Sequence, residues 1–485
     1  GYVTGCFGKW HNGTQWPYHP LARGFDAFYG FTEGHWGDYF NPPMQRDTTF
    51  QEGEGYITDD ITTKAITFFD NQVSNSIAKP VLCYVAYNTP HSPMCVPDAD
   101  WSRYAERPLR QQGPDPKKEN PIFTRAALAM VENLDYNVGR MLAAIDSANT
   151  SRETIVVFFS DNGPNSLRWC GGMRGKKGST DDGGTRSVCC IRYPGEIAPG
   201  TRVPRITAAI DLLPTLAGLA GVPCEVPKPL DGINLTAILK QDSHLKSEQK
   251  VLQTKLTKRH IVASQRGRVS IRTDRFRLDD KGKLYDMRSD IGQIHDVMKE
   301  YPEEGARLRS IADAWQHDVL DCMEQPEVER FPVGYTGAPL TELPARDGHG
   351  EGGVVQSGRA PNCSFFTKWK TTEGSLVWDV DVLNAGNYAA KVWYTCPAKD
   401  VGSVIELSCG KSRITSMISS AWDPPLNTGE DRADRGSESY AKPFKVLSIG
   451  TIALESGEAQ LQLKALRIPG ESVADVRRIV LYPVE

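Results

Sequence analysis

The chain has 485 residues, which predicts two or three domains rather than one. Its hydrophobic fraction of 39% and charged fraction of 24% are typical of globular proteins, and a formal net charge of -4 gives no reason to expect nucleic acid binding. The longest apolar stretch, residues 206–223, contains Asp211 and two prolines, so it predicts a buried helix rather than a membrane span.

Residues 1–330 mix short apolar runs with helical patterns. The runs VLCYVAY (81–87) and TIVVFFS (154–160) are typical of strands buried on both faces of a largely parallel sheet. Between them, residues 123–147 place apolar side chains at helical spacing. This strand–helix–strand unit predicts an α/β domain, a mostly parallel sheet flanked by helices, with a small subdomain at about residues 250–330.

The composition changes after residue 330. Residues 331–354 are rich in Gly and Pro and have no periodicity, which predicts a linker. Over residues 355–485, short alternating runs separated by turn residues predict an all-β, jelly-roll-like sandwich. Its Trp369, Trp378 and Trp393 would suit stacking on sugar rings if exposed, but packing in the core is the better interpretation for each.

The eleven cysteines show neither the spacing of a disulfide scaffold nor a CxxC zinc motif. Their number is odd, and Cys189 and Cys190 are adjacent, so in a strand they would face opposite ways. The pattern leaves one or two disulfides open and indicates no particular pairing.

The chain begins with GYVTGCFGKWH, which reads as a strand that carries Lys9 and His11 on one face and Trp10 on the other. For this triplet alone, a solvated strand face is the simpler interpretation. Chemistry is seldom placed at the first residues of a chain, because free termini fray. We therefore expect a segment upstream of Gly1.

The second candidate is His91, in YVAYNTPHSP. A predicted strand ends just before it, and ligands of open α/β sheets collect at the carboxyl ends of strands. With prolines on both sides of His91 and Ser92, the imidazole suits a general acid. A loop histidine bonded to backbone is equally compatible with this pattern.

The third candidate is the pair Asp161 and Asn162, which follows the run VVFF. A carboxylate beside an amide oxygen suits a hard cation such as Ca²⁺ or Mg²⁺, although Ca²⁺ takes about 6–8 oxygens, so water or further ligands are needed. The alternative is an Asx turn that closes a loop.

The fourth candidate is the glycine-rich loop 173–186, MRGKKGSTDDGGTR. Its four cations suit an anionic substrate group: Arg174, Lys176, Lys177 and Arg186. A charged surface loop is the default explanation. Taken together, the four candidates describe a cation beside an anion-binding pocket.

Seven blocks resemble, in chain order, the motifs of the type I, formylglycine-dependent sulfatases of the alkaline-phosphatase-like superfamily. The blocks are GYVTGCFGKWH, YNTPHSP, MVENLDYNVGRML, FFSDNGP, RGKKGSTDDGG, AIDLLPTLAGLAG and KLYDMRSD. The resemblance covers about residues 1–320 and implies the sulfatase fold, hydrolysis of sulfate esters and a divalent cation, Ca²⁺ or Mg²⁺.

The resemblance also implies roles for individual residues. Asp161 and Asn162 match cation ligands. Lys9 and His11 match the pair that steadies the nucleophile and its sulfated intermediate, with His11 as the candidate base of the second step. His91 matches the residue that contacts the sulfate and helps to protonate the leaving oxygen.

Lys177 matches the lysine of the family's glycine-rich loop, and it is preferred to Lys176 because its spacing to Gly183 fits. One departure is that Asp181 and Asp182 stand where the family has an aromatic residue and Glu. This departure concerns the geometry of the loop.

The family's Asp-Asp ligands and its C-x-P-S-R nucleophile block precede the GKWH block, and this sequence contains neither. The nearest match, CGKSR (409–413), lacks the proline and follows the other motifs. We therefore expect no nucleophile in this stretch of chain, which by itself is predicted to be inactive. The two aspartates and the Cys or Ser that becomes formylglycine are expected upstream.

The sequence thus predicts a sulfuric ester hydrolase of arylsulfatase type that acts on a sulfated carbohydrate or an aryl sulfate. One alternative is a catalytically inactive, sulfatase-like glycan-binding protein. A further alternative is a phosphate or phosphonate monoester hydrolase, which the GKWH and TPH blocks disfavour. No nucleic acid partner is expected, and the resemblance implies a periplasmic or secreted location.

Overall fold

The structure is a computed structural model that describes residues 1–74, 79–113, 115–150, 153–240, 246–323, 328–360 and 362–484. The α-helices are α1 (Ile57–Val73), α2 (Asp98–Trp101), α3 (Pro121–Ser147), α4 (Asp182–Thr185), α5 (Leu212–Ala220), α6 (Thr236–Lys240), α7 (Lys246–Lys258) and α8 (Pro302–Trp315).

The strands of the N-terminal part are β1 (Val3–Lys9), β2 (Ala27–Phe31), β3 (Pro43–Arg46), β4 (Thr49–Glu52), β5 (Val81–Ala86), β6 (Val156–Phe159), β7 (Cys189–Arg192), β8 (His260–Gln265), β9 (Arg268–Thr273), β10 (Phe276–Leu278) and β11 (Leu284–Asp286). Those of the C-terminal part are β12 (Phe331–Val333), β13 (Thr341–Pro344), β14 (His349–Glu351), β15 (Val355–Gln356), β16 (Phe366–Thr367), β17 (Ser375–Val382), β18 (Gly386–Thr395), β19 (Val404–Cys409), β20 (Ser412–Met417), β21 (Lys445–Leu454), β22 (Gly457–Arg467) and β23 (Asp475–Val484).

The chain forms two compact units. Unit 1 contains residues 1–107, 125–144 and 326–485, and unit 2 contains residues 108–124 and 145–325. The C-terminal strands are therefore in the same unit as β1–β5. The predicted division, with one α/β domain over residues 1–330 and a separate sandwich after a linker, follows the chain order, whereas the observed units do not.

The N-terminal sheet of unit 1 has the order β4-β3-β2-β1-β5, with β1 parallel to β2 and to β5 and with β3 and β4 antiparallel. Its centre requires glycine. A Cβ on Gly8, whose φ is +98°, would lie 2.2 Å from the carbonyl oxygen of Ala86, and a Cβ on Gly30 would lie 1.9 Å from that of Gly8. The two glycines therefore let β2, β1 and β5 pair closely just before Lys9.

Helix α1 covers this sheet with an apolar face. Ile57, Ile61, Ala65 and Phe69 recur every fourth residue and are buried, which is the pattern of an amphipathic helix packed on a core. Phe68 of the same helix contacts Phe7 of β1, with ring centroids 5.3 Å apart.

The C-terminal strands form two six-stranded sheets that share one hydrophobic core. One sheet has the order β12-β17-β22-β19-β20 with β14 also on β17, and the other has β15-β16-β23-β18-β21 with β13 also on β23. Trp369 and Trp378 lie in that core, 1% and 0% exposed, as predicted. Trp393 contacts Phe50 of β4, with ring centroids 5.4 Å apart.

The segment 331–354, predicted as a linker, is built into these sheets. It contains β12, which runs parallel to β17, as well as β13 and β14, which pair with β23 and β17. These strands have only three or four residues, which is too short to show an alternating pattern. The many Gly and Pro residues around them also argue against strands when the sequence is read alone.

A buried ion pair joins the two parts of unit 1. Glu33, two residues after β2, accepts hydrogen bonds from Nη2 of Arg477 at 2.8 and 2.9 Å, and Arg478 lies 3.5 Å away. Burial alone would raise the pKa of Glu33, but the two guanidiniums outweigh it and hold the pKa below its ordinary value. Arg478 also binds Glu342 of β13.

In unit 2, β6 pairs with β7 in antiparallel fashion, and the strands β8–β11 form an antiparallel sheet. Leu219, Leu239 and Leu256 of α5–α7 share one core. Leu308 of α8 packs with Ile271 and Leu284 of the β8–β11 sheet.

Two strands differ from the prediction that both of their faces are buried. Leu82 and Tyr84 on β5 are 48% and 42% exposed, and Phe159 on β6 is 41% exposed. The described strands β5 and β6 also lie in different sheets, and each has one hydrogen-bonded neighbour, β1 and β7 respectively. An apolar run of β-branched and aromatic residues indicates a strand. It does not show whether one face of that strand or both are covered by other parts of the protein.

All eleven cysteines are free thiols, so neither of the disulfides left open by the sequence is present. The apolar stretch 206–223 contains α5, which places Ala217 and Leu219 in the core. Within the described ranges, no helix combines the length and the apolar character that crossing a bilayer requires.

Replacing Glu33 by Ala should destabilise unit 1 by about 3–5 kcal/mol, because the guanidinium of Arg477 would remain buried without a carboxylate partner, whereas Arg478 would keep Glu342. Urea unfolding at pH 7 measures this loss. Since the pKa of Glu33 is depressed, the stability that it contributes is present above its unfolded pKa of 4.5 and is lost as the pH falls through the folded value.

Glu471→Ala is the matched control, since this glutamate pairs with Lys399 on the surface and is 78% exposed. Its loss should stay within about 1 kcal/mol. Equal losses in the two variants would contradict the assignment of the Glu33 pair as the joint between the two parts.

Candidate functional site

Lys9 and His11 lie where β1 ends, at the carboxyl end of the three parallel strands. Trp10 between them is buried, 9% exposed, and its Nε1 donates to the carbonyl oxygen of Tyr18 at 3.0 Å. Lys9 is half-buried and His11 is exposed. The anchored tryptophan therefore fixes the backbone between Lys9, the last residue of β1, and His11, which follows the strand.

His91 follows β5 at the same edge of the sheet, and its backbone is held at both polar groups. Its N–H donates to the carbonyl oxygen of Asn88 at 3.0 Å, and its carbonyl oxygen accepts from the hydroxyl of Tyr39 at 2.6 Å. The ring Nδ1 lies 2.7 Å from the carbonyl oxygen of Ser92. Because a carbonyl only accepts, Nδ1 carries the proton, and Nε2 is the atom for acid–base chemistry.

The ring of His91 belongs to a group that the sequence analysis missed, the histidine cluster of His35, His91 and Glu438. The rings of His35 and His91 stack at 4.5 Å with an interplanar angle of 19°. Oε2 of Glu438 lies 3.3 Å from Nε2 of His35, and Oε1 accepts from the hydroxyl of Ser92 at 2.6 Å. The three side chains could place nitrogen or oxygen ligands within 4.8 Å of one another.

Asn362 binds His35 of this cluster and lies, like His11, close to Gly34. Its Nδ2 donates to Nδ1 of His35 at 2.8 Å. A Cβ on Gly34 would lie 2.8 Å from Nε2 of His11 and 3.0 Å from Nδ2 of Asn362. The structure therefore gathers His11, His35 and His91 around Gly34, whose φ of +94° suits glycine.

One sequence signal could have pointed to His35. It follows β2 closely, as His91 follows β5, and both strands are parallel neighbours of β1. Asn362 and Glu438 carry no such signal, because they come from loops of the C-terminal part.

In unit 2, Asp161 and Asn162 follow β6. The loop around them is fixed by backbone bonds: Gly163 N–H donates to the carbonyl oxygen of Gly184 at 2.9 Å, and a Cβ on Gly163 would lie 1.9 Å from that of Gly183. Nδ2 of Asn162 donates to the carbonyl oxygen of Gly163 at 2.8 Å. The amide nitrogen is thus used within the loop, and Oδ1 is the ligand atom for a cation.

Lys177 is placed beside them by the glycine-rich loop. Its backbone N–H donates to the carbonyl oxygen of Pro164 at 2.8 Å. Asp161, Asn162 and Lys177 line one cavity of about 630 Å³. The structure therefore brings these three predicted residues together within unit 2.

Arg266 also lines this cavity. It sits in the tight turn between β8 and β9 with a φ of +52°, a left-handed conformation that only a turn tolerates well. The sequence analysis missed it, since QRGR reads as an ordinary hairpin turn.

Arg174, one of the four loop cations, forms ion pairs within unit 2 that stabilise the fold. Its Nη2 lies 3.0 Å from Asp181 and 3.1 Å from Asp279, and its guanidinium stacks on Tyr285 at 4.9 Å. Two charge partners occupy its donors, so it is not a cation reserved for an anionic ligand.

The Asp181–Asp182 departure has a structural role. Asp182 is buried, 5% exposed, and lies 3.4 Å from Arg272 and 3.7 Å from Arg277, which also reaches Asp181 at 3.3 Å. Burial lowers the pKa of Arg277, and the two aspartates oppose that effect. Arginines of the β8–β11 sheet thus fix the loop that carries Lys177.

In a comparison with known proteins, two family models match parts of this chain. Residues 1–222 match the family model Sulfatase, and residues 181–312 match the model N-sulphoglucosamine sulphohydrolase, C-terminal. The N-acetylgalactosamine-6-sulfatase of Canis lupus familiaris is 28% identical over 262 residues, which is 48% of this chain and 46% of that protein.

Human arylsulfatase A is 29% identical over 273 residues, 49% of this chain and 49% of that protein. The chain spans about half the length of the curated relatives that it matches. The crystal structure of Ps i-CgsB, also solved in complex with k-i-k-neocarrahexaose, superimposes with a TM-score of 0.55 and 27% identity, over 65% of this chain and 71% of that one.

Lys177→Ala should weaken the binding of inorganic sulfate by about tenfold, or about 1.4 kcal/mol, because the cavity loses a cation. Isothermal titration at low ionic strength measures the affinity. Lys281→Ala, an exposed lysine outside the lining of this cavity, is the control. An unchanged affinity in Lys177→Ala would contradict an anion site there.

Proposed function

We propose that the chain, through the residues 1–312 that the two family models match, is a sulfatase and forms part of an arylsulfatase-type hydrolase of sulfate esters. The observation that carries the proposal is the cavity of unit 2, where a carboxylate and an amide oxygen lie beside two cations: Asp161, Asn162, Lys177 and Arg266. A sulfate group is negatively charged, so its binding is favoured by a metal cation, held by the carboxylate and amide oxygens, and by neighbouring cationic side chains.

The residues of this cavity fit a hard divalent cation, Ca²⁺ or Mg²⁺. Asp161 offers a carboxylate and Asn162 an amide oxygen whose partner nitrogen is bonded within the loop. A cation held there would neutralise charge on the sulfuryl oxygens, and a formylglycine contributed by a segment outside this sequence would supply the nucleophilic oxygen.

The residues of unit 1 supply proton chemistry. His91 holds its proton on Nδ1 against Ser92, so its Nε2 is the atom that would protonate the leaving oxygen of the ester. Lys9 would stabilise negative charge near the nucleophile, and His11 would act as the base of the second step.

The substrate in this proposal is a sulfated carbohydrate or an aryl sulfate. Support comes from the names of the relatives, an N-acetylgalactosamine-6-sulfatase and an arylsulfatase, and from the hexaose bound to Ps i-CgsB. A periplasmic or secreted location is part of the same proposal, because sulfated glycans lie outside cells.

The full-length protein, prepared with its formylglycine, should hydrolyse p-nitrophenyl sulfate or a sulfated oligosaccharide much faster than p-nitrophenyl phosphate. His91→Ala should lower kcat by about 10²–10⁴-fold, because the leaving oxygen loses its acid. His349→Ala, whose side chain is 51% exposed on β14, is the control and should retain activity.

Faster cleavage of the phosphate ester would replace the proposal with a phosphate monoester hydrolase. Binding of sulfated oligosaccharides without any hydrolysis would favour the inactive, glycan-binding alternative. Both outcomes are read in the same assay.

Ca²⁺ should raise the melting temperature of the protein, since a ligand that binds only the folded state stabilises it by about 2.7 kcal/mol at a concentration of 100 Kd. Asp161→Asn should weaken that affinity by about tenfold or more, because a carboxylate ligand is lost. Asp313→Asn on α8, an exposed carboxylate outside the cavity, is the control. An equal calcium response in Asp161→Asn and the wild type would contradict the site.

A further inference from the structure

The C-terminal part of unit 1 reaches into the group of residues around His91. The long connection between β20 and β21 carries Glu438, which lies outside the residues 1–312 that the family models match. Its side chain is 12% exposed. A buried carboxylate at a functional histidine requires an explanation, because burying a charge is costly unless polar partners compensate.

The first contact of Glu438 acts on the backbone beside His91. Oε1 accepts from the hydroxyl of Ser92 at 2.6 Å, and the carbonyl oxygen of the same Ser92 accepts from Nδ1 of His91 at 2.7 Å. Glu438 therefore fixes the residue that determines which ring nitrogen of His91 carries the proton.

The second contact acts on the face of the ring. Oε2 of Glu438 lies 3.3 Å from Nε2 of His35, whose Nδ1 accepts from Asn362. The ring of His35, held from both sides, stacks on His91 at 4.5 Å. Rotation of the His91 ring out of its plane would have to displace this stack.

Glu438 is itself firmly placed. It forms a backbone bridge with Ala360, and Nη1 of the buried Arg435 donates to the carbonyl oxygens of Ser439 at 3.0 Å and of Gly37 at 2.9 Å. Arg435 also pairs with Asp431 at 3.1 Å. The segment 431–439 is thus clamped onto the loop that carries His35.

The charge of Glu438 is consistent with this arrangement. Burial alone would raise its pKa, but the polar contacts with His35 and Ser92 outweigh it, so the pKa lies below its ordinary value. The carboxylate is therefore ionised at neutral pH, with Oε1 accepting from Ser92 and Oε2 facing Nε2 of His35 at 3.3 Å.

We propose that Glu438 is a positioning residue for His91, which fixes its tautomer through Ser92 and its ring orientation through His35. The inference rests on the proposed function for its kinetic part. It follows that a loop of the C-terminal part belongs to the proposed catalytic centre in unit 1, in contrast to a separate carbohydrate-binding appendage.

Two substitutions in the full-length protein test the proposal. Glu438→Ala removes both contacts, whereas Glu438→Gln keeps the volume and an oxygen for Ser92 but removes the charge that faces His35. Glu406→Gln is the matched control, a glutamate of similar exposure (18%) that pairs with Arg413 on the β19–β20 hairpin.

The kinetic expectation is a loss in kcat with little change in KM. Glu438→Ala should lower kcat by about tenfold or more with KM within about twofold, Glu438→Gln should lose less, and Glu406→Gln should be unchanged. A residue that only stabilises the fold would lower the amount of active protein without this graded rescue.

A second readout does not depend on turnover. In protein labelled with [¹⁵N]histidine, the His91 signal, identified by its loss in His91→Gln, should show the proton on Nδ1 in the wild type. In Glu438→Ala the two tautomers should mix. If Glu438→Ala does not fold, the isosteric Glu438→Gln carries both measurements.

Unchanged kcat and an unchanged His91 tautomer in the folded variants would overturn the proposal. If the wild type cleaves no sulfate ester, the proposed function fails, and the tautomer of His91 still decides whether Glu438 positions it.

Discussion

The buried pair of Glu33 with Arg477 and Arg478 is the constraint on which unit 1 depends. Glu33 stands between the end of β2 and His35, and the arginines belong to β23. Removing one member of a buried ion pair leaves an uncompensated charge, so the geometry of this group is strongly enforced. The pair therefore holds the loop of His35 against β23, and the contacts of Glu438 and Asn362 with His35 add to this attachment.

The sequence predicts well what is local. Lys9 ends β1, and His11, His91 and the pair Asp161–Asn162 each follow a strand within a few residues, so a short motif reveals both the element and the side chains at its end. The loop of Lys177 was also recognisable, by its glycines. In these cases the residues that lie close together in the structure are also close together in the sequence.

The features that the sequence does not predict depend on contacts between residues that are far apart in the chain. Arg174 reads as a free loop cation, but Asp279 of another element occupies it. Glu438 reaches Ser92, and Arg266 reaches the cavity of Lys177, from segments without any motif. The strands of 331–354 were missed because their pairing partners, β17 and β23, rather than their own composition, make them strands. Tertiary contacts decide each of these cases, and one sequence does not contain a direct signal for them.

The separation of Glu33 from Arg477 has a consequence for biosynthesis. The two residues are 444 positions apart, so a ribosome working at about 5–20 residues per second releases the arginines roughly 20–90 s after the glutamate. During that time the carboxylate must stay hydrated and the N-terminal sheet cannot adopt its final surroundings. A protein tied together in this way completes its folding only after nearly all of its chain has been synthesised.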